Sequence, residues 1–358
     1  MVAKRATLKS LARELGVSRQ TISNAINNPD VVAPETLERV LAEIQAQNYT
    51  PSKAAQQLRL SSSSTIALRL MPTFDGINGH ILDLFVHELA ERASEKGYRL
   101  LVFAAKDAKE ELTQYSELFA SREIDGVILT STTEDDPRFA WLTENQVPFA
   151  AFGRPWAYGP AQDPAAAPFP WVDVDGSAGT AAVVERLAAE GHTRIAYISW
   201  PIEPGVGEDR YQGYARAIGA AGLSSDGLIR ECEDHALDAQ AAASDLLAAG
   251  ATAIVCASDT LALGALIAVN EAETLAALTP AATGAEAGTP AVVVGFDDTP
   301  VSRALHLSSV TQPVVEAAQV ALTLLLERIS DSTANRQVLL APQPAFRDPL
   351  TERADSER

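Results

Sequence analysis

Along the first sixty positions, apolar residues recur at the spacing of short helices. Leu8, Leu11, Ala12 and Leu15 fall at i, i+3, i+4 and i+7, one face of a two-turn helix that Thr7 can cap and Gly16 can end. Ser18 is a good N-cap for a second short helix, Arg19 to Ile26, with Ile22 and Ile26 inward and Asn27, Asn28 and Pro29 stopping it. A third helix starts at Pro34 and carries Leu37, Val40, Leu41 and Ile44 on its apolar face to about Asn48, although Ala33 is a poor cap. Tyr49 to Leu60 reads as a fourth, isolated helix with Thr50 as N-cap and Pro51 in the first helical position; it is too short to be stable alone in water. Ser61 to Ser64 is a polar joint.

Beyond the joint the period changes. Short β-rich runs alternate with amphipathic helices, and the strands are predicted at Thr65 to Leu70, Arg99 to Ala104, Gly126 to Thr130, Pro148 to Phe152, Trp171 to Val174, Arg194 to Ser199, Ile254 to Ala257 and Ala291 to Phe296. Strand and helix in alternation predict parallel sheets covered on both faces, with ligands beyond the carboxyl ends of the strands. The units are too many for one sheet. A proline- and alanine-rich stretch, Tyr158 to Pro170, separates two sets of them, which predicts two similar lobes with a cleft between. Ala272 to Thr289, an Ala/Thr/Gly run, reads as a surface loop or frayed helix end.

At 358 residues, 47% hydrophobic and 21% charged, the chain falls among globular proteins of two or three domains, not among disordered or disulfide-scaffold ones. Its longest nearly apolar stretch, Leu261 to Val269, is about half of the roughly 18 residues a membrane-spanning helix needs, so no membrane role is expected. The N-terminus keeps adding charges where a secretory signal needs an apolar run, and Cys232 and Cys256 lack metal-ligand spacing; a cytoplasmic location is expected. The formal net charge of −19 argues against nucleic acid as a partner, but the charge is uneven. Residues 1–60 hold eight Lys and Arg against five Asp and Glu, a net +3, which leaves −22 on the other 298. A basic head on an acidic body fits a head that meets a polyanion and a body repelled by it; a chance fluctuation in surface charge fits equally.

Ala12, Gly16 and Ile22 provide what a helix-turn-helix needs: a small residue at the crossing, a turn glycine and a buried β-branched anchor. Ser18, Arg19, Gln20, Thr21, Ser23, Asn24 and Asn27 crowd the second helix with groups that read base edges and phosphates, and no carboxylate interrupts them. On the run Gly16-Val17-Ser18-Arg19-Gln20-Thr21-Ile22-Ser23, and across the whole head, the chain resembles the LacI (lactose and purine repressor) family. That resemblance implies that Arg19 and Gln20 enter the major groove, that Ser18, Thr21 and Ser23 hold phosphates with Thr7 and Asn27 nearby, and that Asn24 can make a third base contact. It also implies that the fourth helix folds on DNA beside its twin from a second subunit. Leu58 would then be the minor-groove wedge, with Ala54 and Ala55 small enough for close approach; the alternative is that Leu58 caps a core.

The resemblance continues through EIDGVIL, VPFAAFGRP, VDVDG, GHTRIAYI, DRYQGY, ASDTLALG, VVGFDDTP and SSVTQP, in family order. The implied fold is an all-α helix-turn-helix head with a hinge helix, followed by an α/β two-lobed domain of doubly wound parallel sheets like the periplasmic binding proteins. Its implied divisions are the head at 1–49, hinge helix and linker at 50–63, an N-terminal lobe of 64–171 plus 312–341, a C-terminal lobe of 172–311 plus 342–353, and a tail at 354–358. The effector positions it implies are Phe74, Arg154, Arg210, Asp259 and Asp297, with Trp156 and Trp200 as further aromatic candidates for stacking or packing. Arg210 and Asp297 also fit a structural ion pair spanning the cleft.

An enzyme is not expected. Asp297 and Asp298 are neighbours that point apart, and no Walker A loop, GxSxG or HExxH is present. The expected protein is a homodimeric regulator, most simply a repressor, that binds a palindromic double-stranded operator and is released by a small-molecule effector of the sugar type; no cofactor or metal is expected. The alternatives are a corepressor-dependent, purine-type regulator and a sugar-binding protein without a DNA target. The C-terminal end shows no leucine heptads, so tetramers built through a terminal coiled coil are not expected.

Overall fold

Thr7 caps the first helix, α1 (Leu8–Leu15), as the sequence predicts: its hydroxyl accepts the Ser10 amide and the Ser10 hydroxyl closes the box on the Thr7 amide. Gly16 ends it at φ 68°, a left-handed conformation that costs glycine nothing. The structure, a computed structural model, describes residues 7–47, 49, 62–70, 79–156, 167–202, 205–278 and 290–347. The predicted hinge helix with Ala54, Ala55 and Leu58 lies outside the described residues, as do Phe74 and the tail.

The chain forms two compact units that meet between Ser63 and Ser64. In the first, α1, α2 (Arg19–Asn27) and α3 (Pro34–Ala46) close over Leu11, Ala12, Ile22, Ala25 and Val40. One expectation fails in α3. Leu41 is 47% exposed, because it lies about 100° around the helix from Val40 and only the latter faces α1 and α2. Gly16 and Val17 carry the chain around the corner, the Val17 amide bonding the Ala12 carbonyl at 3.0 Å.

The second unit holds two parallel sheets. The first lobe orders its six strands β11-β5-β4-β3-β1-β2: β1 (Thr65–Leu70), β2 (Arg99–Ala104), β3 (Gly126–Leu129), β4 (Phe149–Phe152), β5 (Trp171–Val174) and β11 (Gln337–Leu340). In the second lobe the order is β7-β6-β8-β9: β6 (Ile195–Ser199), β7 (Ile229–Glu231), β8 (Ala253–Cys256) and β9 (Val292–Val294). A two-stranded antiparallel ribbon joins β10 (Ser309–Thr311) and β12 (Gln343–Ala345). Helices α4 (His80–Glu95), α5 (Ala108–Ala120) and α6 (Pro137–Glu144) serve the first lobe; α7 (Gly176–Ala189), α8 (Val206–Ala220), α9 (Ala236–Ala248), α10 (Asp259–Leu278) and the short α11 (Pro300–Ala304) serve the second. The last helix, α12 (Val314–Ser330), returns to the first lobe and packs with α4 over Ile66, Leu68 and Ile128.

The stretch 158–170 does not separate the lobes, and 171/172 is not their boundary. The strand beyond it, β5, still pairs with β4 and β11, so the first crossing comes at Asp175. Composition marks a loop, whereas sheet membership is decided by pairing. Residues 272–278 form the last turns of α10, the helix-end alternative of the two expected for that run, and 279–289 lie outside the described residues. The sequence reading missed β7, β10, β11 and β12: each carries a polar residue in its three or four positions and so lacks the unbroken apolar run that marks β3, β4, β8 and β9. Among the described residues, no helix is long and apolar enough to cross a membrane.

Candidate functional site

Two surfaces carry chemistry. On the head, the Ser18 hydroxyl caps α2 by accepting the Thr21 amide at 3.0 Å and pairs with the Thr21 hydroxyl at 2.9 Å. Arg19 and Gln20 are exposed in the first turn; Thr21, Ser23, Asn24 and Asn27 are half-buried. Gln20 Nε2 donates to Asn24 Oδ1 at 2.9 Å, so two polar tips four residues apart are held as a unit. Asn27 Nδ2 donates to the Ser23 carbonyl at 2.7 Å and Thr7 is occupied in its capping box, so these two first serve the helices. No carboxylate occurs on α2, and the positive end of its backbone dipole lies beside Ser18 and Arg19.

In the second unit, a cleft of about 310 Å³ opens where the carboxyl ends of both sheets face each other. The first lobe contributes Thr130 to Thr132 after β3, Trp156 after β4 and Asp173 on β5. From the second lobe come Trp200 after β6, Asp234 after β7, Asp259, and Asp297 after β9. Gly153, at φ 121°, is required here, since a Cβ would come within 2.4 Å of Thr132 Oγ1.

Arg210 is buried on α8. Its guanidinium lies 3.7 Å from the Phe296 ring centre and 5.1 Å from that of Trp200, a position fixed between two aromatic faces. Nη1 donates to the Ala257 carbonyl, Nη2 faces Asp297 Oδ1 at 3.4 Å, and the buried Nε has no partner among the described residues. The expected pair of Arg210 and Asp297 therefore exists but does not span the cleft: both residues belong to the second lobe. The pair that joins the lobes is Arg154 with Asp209. Arg154 Nε bonds Asp173 at 2.7 Å and its Nη2 the Val174 carbonyl at 3.1 Å, while Nη1 reaches Asp209 of α8 at 3.5 Å. Burial works against the Arg154 charge, but Asp173 and Asp209 outweigh it and hold the proton more firmly than usual.

Asp259 lines the cleft, yet its oxygens already accept the Thr299 amide and the Ser309 hydroxyl, both at 2.6 Å. Asp297 accepts Gln312 Nε2 at 2.6 Å and holds a φ of 110°, strained for a residue with a Cβ. Asp298 points elsewhere, to Arg347, Arg303 and Thr311, so the two neighbours diverge as the sequence predicts. Asp209, Asp173, Asp234 and Gln312 were not singled out from the sequence. Asp173 and Gln312 stand in motifs noted there, and Asp209 sits beside Arg210, but spacing alone does not show which member of a motif faces a ligand.

Burial, opposed in part by Arg210, pushes the Asp297 carboxyl up to about 7. Its unfolded value is near 3.9, so the native state binds the proton more tightly between roughly pH 4 and 7. Stability contributed by this group is present below pH 4 and lost as pH rises through 7. Urea midpoints measured from pH 5 to 8 should therefore fall more steeply for the unaltered protein than for Asp297→Asn. Parallel slopes would contradict the assignment.

Residues 83–335 match the family model described as periplasmic binding proteins and sugar binding domain of LacI family, and residues 7–52 match bacterial regulatory proteins, lacI family. The chain is 30% identical to the HTH-type transcriptional regulator CelR of Thermobifida fusca, over 92% of this chain and 94% of that one. A regulatory protein of LacI family from Chloroflexus aggregans is 34% identical with a TM-score of 0.69, covering 80% of this chain and 98% of the other. A CelR–cellobiose complex is 28% identical with a TM-score of 0.67, covering 96% and 99%.

Proposed function

Given that the chain belongs to the LacI family of bacterial regulatory proteins, we propose that it is a transcriptional repressor that binds a palindromic operator as a homodimer and is released by a sugar. The observation that carries the reading is the exposed start of α2, where Arg19 and Gln20 stand on a capped helix without a carboxylate. Arg suits guanine O6 and N7, and Gln suits adenine N6 and N7. One head reaches few base pairs, so two copies on two half-sites supply the specificity. Ala55 and Leu58 extend that interface into the minor groove as an expectation from sequence.

Release follows from coupling. A ligand that contacts both lobes favours one lobe arrangement, and if operator binding favours another, each lowers the affinity for the other by the same factor. Trp156, Trp200, Arg210, Asp259 and Asp297 are the proposed effector residues, to which Asp209, Asp234 and Gln312 are added; Arg154, held by Asp173 and Asp209 outside the cleft lining, and Phe74 remain sequence expectations. The CelR relative is known in complex with cellobiose, which supports a saccharide for this cleft. The proposal assigns no turnover and no cofactor, and a reader of operator DNA works in the cytoplasm.

The test is an electrophoretic shift on a palindromic duplex, repeated with cellobiose and other sugars; unchanged mobility at low salt would remove the DNA reading. Arg19→Ala should relax preference at one base pair by about 1–3 kcal/mol. A uniform loss across all sequences would contradict base readout by Arg19.

A further inference from the structure

Asp297 and Asp298 follow β9 with φ of 110° and 52°; among the described residues no other two non-glycine neighbours both stand in that region. Such a backbone is unfavourable for a residue with a Cβ and persists only where surrounding bonds over-determine it. Most of those bonds lead to the ribbon of β10 and β12. The Asp297 amide donates to the Val310 carbonyl at 2.9 Å and the Asp298 amide to Ser309 Oγ at 3.0 Å. The Asp298 carboxylate accepts the Thr311 hydroxyl at 2.9 Å on Oδ2 and Arg347 Nη2 at 2.5 Å on Oδ1. Arg347, just beyond β12, also donates Nη1 to the Leu307 carbonyl at 2.7 Å and its amide to Ser308 Oγ at 3.0 Å.

This ribbon carries two of the passages between the lobes. From β10 the chain runs through Gln312 and Pro313 into α12 of the first lobe, and from β11 of the first lobe it returns through Ala341 and Pro342 into β12. Val310, in the middle of β10, is buried in the core of the second lobe. The Asp298 side chain therefore grips both passages on their second-lobe side, one through Thr311 and the other through Arg347. Burial works against the Asp298 charge, but Arg347 and Thr311 outweigh it and hold the carboxyl below its usual value. Removing either charge of such a pair leaves the other without its partner.

Asp297 faces the other way. It lines the cleft and accepts Gln312 Nε2 at 2.6 Å, and Gln312, the last residue before Pro313, lines the cleft too. One strained turn thus touches the cleft on one side and both passages on the other.

We propose that Asp298, through Arg347 and Thr311, is the positioning residue that fastens the ribbon to the second lobe, so that these passages bend only at 312–313 and 341–342, and that the strained turn relays occupancy of the cleft at Asp297 to this fastening. The fastening needs no ligand; the relay rests on the effector reading given above. An ion pair that served stability alone would lower the melting temperature when broken and leave the spacing of the lobes unchanged. A fastening also fixes that spacing.

The test is a pulsed electron-spin distance measurement on the full-length protein, with nitroxides at Ser116→Cys on the first lobe and Ala220→Cys on the second, both exposed positions. Cys232→Ser removes the one other reachable thiol among the described residues, since Cys256 is 1% exposed, and labelled subunits are diluted into unlabelled protein so that distances within one subunit are read. The reference protein should give one distance. Asp298→Asn, which keeps the shape and tolerates the left-handed backbone, and Arg347→Met should each add a second distance holding roughly a tenth or more of the signal, and the two together should add nothing further, because both remove the same bond. Thr311→Val removes one hydroxyl from the same carboxylate and should broaden the distance in the same sense; it decides the matter if the charge variants do not fold. Distributions that superimpose on the reference would overturn the proposal. Cellobiose, maltose and glucose are then added in turn: a sugar that binds should move the reference distance, and Asp298→Asn should bind it without that movement. Equal movement in both would overturn the relay. If none of the three binds, the effector reading fails for them, while the sugar-free distances still decide the fastening.

Discussion

Arg138→Ala is expected to cost about 3–5 kcal/mol of unfolding free energy in the 64–358 unit and to weaken sugar binding with it. Arg138 is 3% exposed, and its guanidinium is surrounded by acceptors. Nη1 bonds Glu111 at 3.1 and 3.2 Å, Nη2 bonds Asp136 at 2.6 Å, and Nη2 also reaches the Thr130 and Ser131 carbonyls at 3.0 Å each. Burial disfavours its charge, yet Asp136 and Glu111 more than compensate and raise its pKa. Glu111 is fully buried and shared with Arg69 at 2.6 Å and the Tyr115 hydroxyl at 2.8 Å. Removing the guanidinium takes its bonds from the Thr130 and Ser131 carbonyls, leaves Asp136 only the backbone amide of residue 138 and leaves Glu111 to Arg69 and Tyr115 alone, in a place water does not reach easily. Because Thr130 and Ser131 form the cleft wall, the damage reaches the ligand. Urea unfolding and calorimetric titration with a binding sugar measure both effects; a change under about 1 kcal/mol would mean that the network is not stabilising as described.

Leu11→Ala should abolish operator binding while leaving the effector unit intact. Leu11 is fully buried in a small head core, which among the described residues has five buried side chains. Truncating a buried leucine costs about 2–5 kcal/mol, comparable with the whole stability that a core of this size supplies. No disulfide holds the head, since the two cysteines stand at 232 and 256. The two compact units divide at Ser63 and Ser64, so the larger one should keep its melting temperature and its sugar affinity. Calorimetry and gel shifts on the same sample separate the outcomes. A variant that shifts the operator with unaltered affinity would show that Leu11 is not the keystone of this core.

Local rules in the chain decided more than its topology. Thr7, Gly16 and Ser18 set helix ends through bonds within a few residues, so capping and apolar spacing place α1 and α2 to within one residue. The eight predicted strands also stand, because a buried parallel strand is an apolar run wherever its neighbours come from. The polar face of α2 was readable for the same reason: one helix presents it without help from elsewhere.

What required the tertiary structure is everything that depends on which distant segments meet. The assignment of β5 to the first sheet comes from its pairing with β4 and β11, the latter some 160 residues away. Arg210 and Asp297, for which a pair spanning the cleft was the alternative to effector binding, share a lobe, whereas Arg154 reaches Asp209 on the other one. That the buried indole Nε1 atoms of Trp156 and Trp200 meet no hydrogen-bond partner among the described residues is not readable from spacing, because it is a property of the whole surroundings. Capping and periodicity are written in neighbouring residues; burial, charge pairing and unsatisfied donors are created only when the chain folds back on itself and excludes water.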